Sequence, residues 1–305
     1  MNSAMKAIFI VVAVISCSAC SYVFGRSVEV KVVDDANKPI ENARVKMVFR
    51  KTYESDIFTK KTSPSGKVSI RGVDHHGTNI LVRKHGYYPT QEMESSEKSV
   101  SVNMLLRKIK NPIPMYVKEV ALFLPKKDKT YGYDLVKGDL VQPHGNGVTA
   151  HVFLTLKGKR TSAHDDKSRL LVEFADPRGG VKTVESTKPD SNLAFPYQAP
   201  GEGYKNDLDL YRNRDEEGVE TNVDRKKLGY FLKVVGSQKM KNEPLTARYG
   251  KIRGYIRFAV GENKEENSEG YVGFTYYLNP NPNDRNIEFD PQRNLFKNAE
   301  KTYPP

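Results

Sequence analysis

The chain has 305 residues, 38% of them hydrophobic and 28% charged, with 17 Tyr, 13 Phe and no Trp. That balance excludes a disordered polymer and fits a globular protein long enough for two domains, each able to bury its own core. The formal charge of +12, from 49 Lys and Arg against 37 Asp and Glu, draws such a protein toward anionic partners.

Lys6 precedes an apolar run, Ala7 to Ile15, the layout of a signal peptide with a one-charge n-region and a short h-region. Val14-Ile15-Ser16-Cys17 follows and resembles the bacterial lipobox, which implies that Cys17 becomes the lipidated first residue of the mature protein. Cys20 is the alternative, but its −3 position is Cys17, a poor lipobox residue. Cleavage after Ala19 would instead release a soluble protein. An uncleaved run through Phe24 would approach the length of about 18 residues that spans a bilayer. All of these readings put residues 27–305 outside the cytoplasm. With Ser18 rather than Asp after Cys17, the resemblance implies an outer-membrane lipoprotein held to the membrane by its acyl chains. The Cys-x-x-Cys spacing is not read as a redox site, because it ends a membrane-inserting segment. These are the only two cysteines, so residues 27–305 carry no disulfide framework.

In residues 27–107, short alternating runs predict strands at Ser27–Val33, Ala43–Phe49, Val68–Ile70, Asn79–Arg83 and Val100–Leu106. Asp34–Pro39 and Lys60–Lys67 read as turns between them. The pattern predicts a small antiparallel sandwich. Its order of Lys38, Pro39, Ile40, Ala43 and Val45, then Gly66, Lys67 and Ile70, then Gly86, Tyr87 and Tyr88 resembles the carboxypeptidase regulatory-like domain. That resemblance implies a prealbumin-like, seven-stranded sandwich. It brings no peptidase activity, since the domain is an accessory module in those enzymes. Residues 108–114, ending in Asn111-Pro112-Ile113-Pro114, read as a stiff linker.

Residues 115–305 predict a larger β-rich domain. Strands are expected at Glu119–Leu124, Thr149–Leu156, Arg169–Phe174, Gly229–Val235, Lys251–Val260 and Tyr271–Leu278, with long polar loops and no long amphipathic helix. Tyr133–Asp139, Pro143–Gly147 and the Asn-rich ending resemble bacterial lipoproteins carrying this domain pair, which implies architecture only. The fold class is therefore all-β throughout.

Sites of chemistry are few. None of the histidines at 75, 76, 85, 144, 151 and 164 has Glu at +3 or His at +4, and no Gly-x-Ser-x-Gly, Walker or dinucleotide motif occurs. His75-His76 reads as a surface turn. His144 and His151 with Asp134 and Asp139 form the one His and carboxylate concentration of the second domain, read as chance first. Asp284, Glu288 and Asp290 with Asn279, Asn281 and Asn283 offer oxygens that suit Ca²⁺, but the prolines favour a tail whose side chains bond its own backbone. In Tyr87-Tyr88 and Tyr276-Tyr277, one tyrosine of each pair is expected in the core and the other outside. The short clusters Arg107-Lys108-Ile109-Lys110, Lys126-Lys127 and Arg225-Lys226-Lys227 carry no interleaved aromatics and read as solvated surface. No catalytic residue, metal or cofactor is assigned. The expectation is a non-catalytic envelope lipoprotein that binds or scaffolds, its partner an envelope protein or an anionic glycan and no specific nucleic acid. The rivals are a binder of an anionic polymer, which requires a basic face, and a glycan-active enzyme, which requires two acids facing one cleft.

Overall fold

The computed structural model describes residues 25–95, 98–162, 164–185, 193–222, 229–236, 246–263, 266–296 and 303–305, so Cys17, Cys20 and Arg225–Lys227 lie outside the described residues. The described residues are all-β, and none of them forms a helix long and apolar enough to cross a membrane.

Seven strands build the first sandwich: β1 (Arg26–Val33), β2 (Arg44–Arg50), β3 (Ser55–Lys61), β4 (Lys67–Gly72), β5 (Thr78–Arg83), β6 (Thr90–Glu94) and β7 (Val100–Leu105). They form two sheets, ordered β4-β1-β7 and β3-β2-β5-β6. Alternation explains them: Val28, Val30 and Val32 point inward from β1 to meet Val45, Met47 and Phe49 of β2, all fully buried. The sandwich is not wholly antiparallel, because β7 returns alongside β1 in parallel register, Val28 opposite Val100. The expected turn at Lys60–Lys67 is also shorter, since Lys60 and Lys61 extend β3. There Gly66 adopts φ +73°, and a Cβ on it would stand 2.6 Å from the Val32 carbonyl oxygen, so only glycine fits.

Twelve strands build the second: β8 (Ile113–Leu124), β9 (Thr130–Asp134), β10 (Asp139–Leu140), β11 (Val152–Ser162), β12 (Asp165–Phe174), β13 (Gly180–Val184), β14 (Asp207–Asp215), β15 (Gly218–Thr221), β16 (Gly229–Val235), β17 (Ala247–Asn263), β18 (Ser268–Leu278) and β19 (Phe289–Asn294). One sheet runs β10-β9-β11-β12-β14-β15 and the other β13-β16-β17-β18-β8-β19. Leu154, Leu170, Val172 and Leu210 of the first sheet meet Leu232, Ile252, Val272 and Tyr276 of the second. The second sheet is also covered over half of its outer face, where Phe195, Ala199, Ile287 and Phe289 pack on Phe231, Tyr249 and Tyr277. Tyr276 and Tyr277 are therefore both fully buried, contrary to the expectation of one in and one out. A strand covered on both faces has no outside.

Residues 106–113 join the sandwiches, and each gives or accepts a hydrogen bond. Leu106 and Ile109 donate to Val33 and Gly86 of the first sandwich, and the Arg107 carbonyl accepts from Tyr88 N–H. Lys110 and Asn111 N–H donate to the Glu288 carboxyl at 2.9 and 2.7 Å. Tyr88 Oη donates to the same carboxyl at 2.8 Å. Arg107 donates to Phe195 O, and Tyr197 Oη to Lys108 O, both at 2.7 Å.

Candidate functional site

Most groups singled out in the sequence serve the fold. Asp134 accepts four backbone N–H bonds, from Val136, Lys137, Val148 and Thr149. Burial raises its pKa, but those donors outweigh burial and hold the carboxyl below the usual range. Asp139 accepts from Leu140 N–H and from both nitrogens of Asn146. His144 rests edge-on against Tyr131, ring centroids 4.9 Å apart. His151 Nδ1 accepts from Leu135 N–H, and burial pushes its pKa down, with Arg248 acting the same way and Asp134 opposing. These four residues staple the loop between β9 and β11.

The Asn-rich ending is laid over the body by its own side chains. Asn279 Nδ2 donates to Asp284 and to Asn286 O, and its Oδ1 accepts from Asn281 N–H. Asp284, Asn286 and Asp290 each accept an N–H two residues on. The side-chain oxygens of Asn279, Asn283, Asp284 and Asp290 thus accept from backbone or side-chain donors of the chain itself, and Glu288 holds the joining segment. His75 and His76 sit T-shaped at 6.5 Å between ring centroids, on an exposed turn. The basic clusters are partly spent as well. Lys126 pairs with Glu269 at 2.7 Å, Lys127 donates to Gly158 O, and Lys110 lies 3.8 Å above the Tyr197 ring.

A cleft of about 250 Å³ opens at one end of the second sandwich. Arg212 and Thr221, from β14 and β15, line one side. Tyr255 to Ala259 of β17 and Tyr271 of β18 line the other. Two features of the chain make it. First, β17 bulges between Arg253 and Arg257, where extra residues face a single stretch of β18, and the bulge turns Tyr255 outward with 39% exposure. Second, the end of the sandwich is filled by polar side chains instead of apolar ones. Arg212 Nη1 donates to Asp166 Oδ2 at 2.8 Å, Ser168 Oγ donates to Asp166 Oδ1 at 2.6 Å, and Val260 N–H of the facing sheet donates to Ser168 Oγ at 3.0 Å. Asp166 and Ser168 are both buried. This chain of bonds ties the two sheets and fixes the guanidinium at the cleft wall.

Beside the cleft lies the uncovered half of the outer face of the second sheet. Phe123, Tyr271 and Ala259 form one cross-strand row, and Ala121, Gly273 and Arg257 the next. Phe123 packs on Tyr271 with ring centroids 5.5 Å apart, and Arg257 reaches Glu119 at 3.4 Å. Chemically the arrangement offers aromatic faces and guanidinium donors. Among the described residues no carboxylate lines the cleft, and no group of His, Cys, Asp and Glu is placed to hold a metal ion. Arg212 and its partner Asp166 went unseen in the sequence because they meet across 46 positions, Arg212 on a strand without a local signature and Asp166 ahead of the expected strand Arg169–Phe174.

No protein-family model matches the chain, and no curated protein matches it. Among solved structures, it is similar to a streptococcal ancillary pilin at 11% identity and TM-score 0.22, over 80% of this chain and 61% of that one. It is also similar to a DUF3823 family protein from Parabacteroides merdae, at 7% identity and TM-score 0.23, over 88% and 100%. A putative carbohydrate binding protein from Bacteroides uniformis gives 9% identity and TM-score 0.21, over 83% and 98%. At TM-scores this low the likenesses decide neither the fold nor the function.

Proposed function

We propose that this protein is an exported, non-catalytic envelope module, anchored through lipid on Cys17 or alternatively Cys20. The first sandwich, a carboxypeptidase regulatory-like domain on its sequence pattern, stands near the membrane. The second presents the binding surface. The carrying observation is the lining of the cleft: two tyrosines and two arginines, of which Arg212 is fixed by the buried Asp166 and Ser168, and among the described lining residues no carboxylate. A glycosidase that works by paired carboxylates requires two acids there, and Asp166, behind the cleft wall, is bound to Arg212 and Ser168. The membrane anchor is checked by metabolic labelling with an alkynyl fatty acid: Cys17→Ala is expected to abolish incorporation, and full labelling of that variant would move the anchor to Cys20.

Binding is tested with the full-length chain in detergent against isolated peptidoglycan, lipopolysaccharide and anionic lipid in mixed micelles. One class is expected to bind, and Tyr271→Ala is expected to weaken it. If nothing in the panel is bound, or if binding is indifferent to Tyr271→Ala and Arg257→Gln alike, this surface is not the site.

A further inference from the structure

We infer that the cleft takes an acidic saccharide, a uronate-bearing glycan whose ring lies on Tyr271 and whose carboxylate turns to Arg212 and Arg257. This rests on the binding reading above and names its ligand.

The aromatic floor is built by what is missing from it. A Cβ placed on Gly273 would stand 2.3 Å from Tyr271 Oη and 2.8 Å from the ring carbon that bears it. The phenol therefore lies across the strand backbone at Gly273 instead of standing up from it. Ala259 and Ala121 in the adjoining positions of β17 and β8 keep the neighbouring surface low. A ring laid flat on small residues offers an apolar face with a polar tip, which suits a pyranose, apolar on its C–H face and hydroxylated around its rim.

The charge is equally specific. Arg212 is 24% exposed and gives one nitrogen to Asp166; a guanidinium carries five N–H donors in a rigid fork that fits a carboxylate. A neutral ligand meets the remaining donors with uncharged oxygens only, whose bonds are roughly half as strong as those to a carboxylate. Arg257 is about half exposed and only loosely paired with Glu119, at 3.4 Å, so solvent screens the pair and a ligand carboxylate competes for the arginine on even terms. The size of about 250 Å³ falls just below the roughly 300 Å³ at which drug-sized sites begin, which matches one sugar ring of a longer chain. The +12 charge of the whole sequence raises the local concentration of a polyanion.

The test is calorimetric titration of the full-length chain in detergent with three probes: oligogalacturonate, its methyl ester and polyphosphate. Oligogalacturonate is expected to bind and the ester to bind at least about tenfold more weakly. Gly273→Ala lifts the ring without altering any charge, and Tyr271→Ala removes it; each is expected to weaken the acid by roughly tenfold, with the far-UV spectrum unchanged. Arg257→Gln is expected to narrow the difference between acid and ester. If the ester binds as well as the acid and Tyr271→Ala weakens both, the acidic class is wrong and the binding surface stands. If polyphosphate binds as well as oligogalacturonate and the ring variants change nothing, the adsorption is charge alone and the inference falls. If no saccharide binds but a member of the envelope panel does so through Tyr271, the inference falls by itself; if neither binds, both readings fall.

Discussion

Lys251 is fully buried, its ammonium donating to Ile287 O at 2.9 Å, with the Tyr277 and Phe195 ring centroids 4.7 and 5.3 Å away. Burial pushes its pKa down from 10.5 to about 7, Arg253 acts in the same direction, and Glu288 opposes them. Because the folded value lies below the unfolded one, the unfolded chain holds the proton more tightly between about pH 7 and 10.5. Stability therefore rises with pH through that window, and the whole cost of the buried charge is present below pH 7. Lys251→Met is expected to stabilise the fold by on the order of 3 to 5 kcal/mol at pH 6, with the gain shrinking toward pH 9.5. Urea titrations at the two pH values check it, and an equal gain at both would refute the shift. The comparison stops at pH 9.5 because Tyr276, with its pKa raised by burial and by Tyr133, withdraws stability as the unfolded tyrosines ionise.

A covered strand tolerates no added atom. Gly250 of β17 lies opposite Leu278 of β18, and a Cβ there would stand 2.1 Å from the Tyr277 carbonyl oxygen. Gly250→Ala is expected to cost roughly 2 to 4 kcal/mol in chemical denaturation, since the obstacle is backbone held in the ladder; a loss under about 0.5 kcal/mol, the scale of surface changes, would show that the two strands are not packed this closely. The same crowding marks what the sequence discloses. The strands of the first sandwich are legible from alternation, because β1, β2, β4 and β5 each turn one face to the core and one to water. Strands of the second, such as β16, are legible as continuous apolar runs. Missed are β3, β6, β9, β10, β13, β14, β15 and β19; among them β3, β14 and β15, with Ser-Asp-Ile-Phe-Thr-Lys-Lys, Asp-Leu-Asp-Leu-Tyr-Arg-Asn-Arg-Asp and Gly-Val-Glu-Thr, sit at or near sheet edges. There water reaches most side chains, so pairing rather than burial makes the strand. The site follows suit: Tyr271 stands inside an expected strand, while Arg212 stands on one of those missed.

At the scale of the molecule, the sandwiches meet through polar groups converging on Glu288, which is 1% exposed. The chain leaves the first sandwich toward its N-terminus at Arg26, itself buried and held by Asp74 and Thr78. The route from that exit to the cleft thus passes through hydrogen-bonded backbone at every residue of the junction. Removing the carboxyl strands three donors at once: Tyr88 Oη and the amides of Lys110 and Asn111. Glu288→Ala is therefore expected to leave both hydrophobic cores intact but to loosen their mutual orientation, lengthening the maximum dimension in small-angle scattering and splitting thermal unfolding into two transitions. Tyr88→Phe removes one of the three bonds and keeps the amides clamped, so it is expected to cost roughly 1 to 3 kcal/mol with the scattering profile unchanged. A Glu288→Ala protein with the wild-type profile and a single transition would mean that the sandwiches are held by packing around Phe195 and Tyr197, with the carboxyl serving only to satisfy the amides it buries.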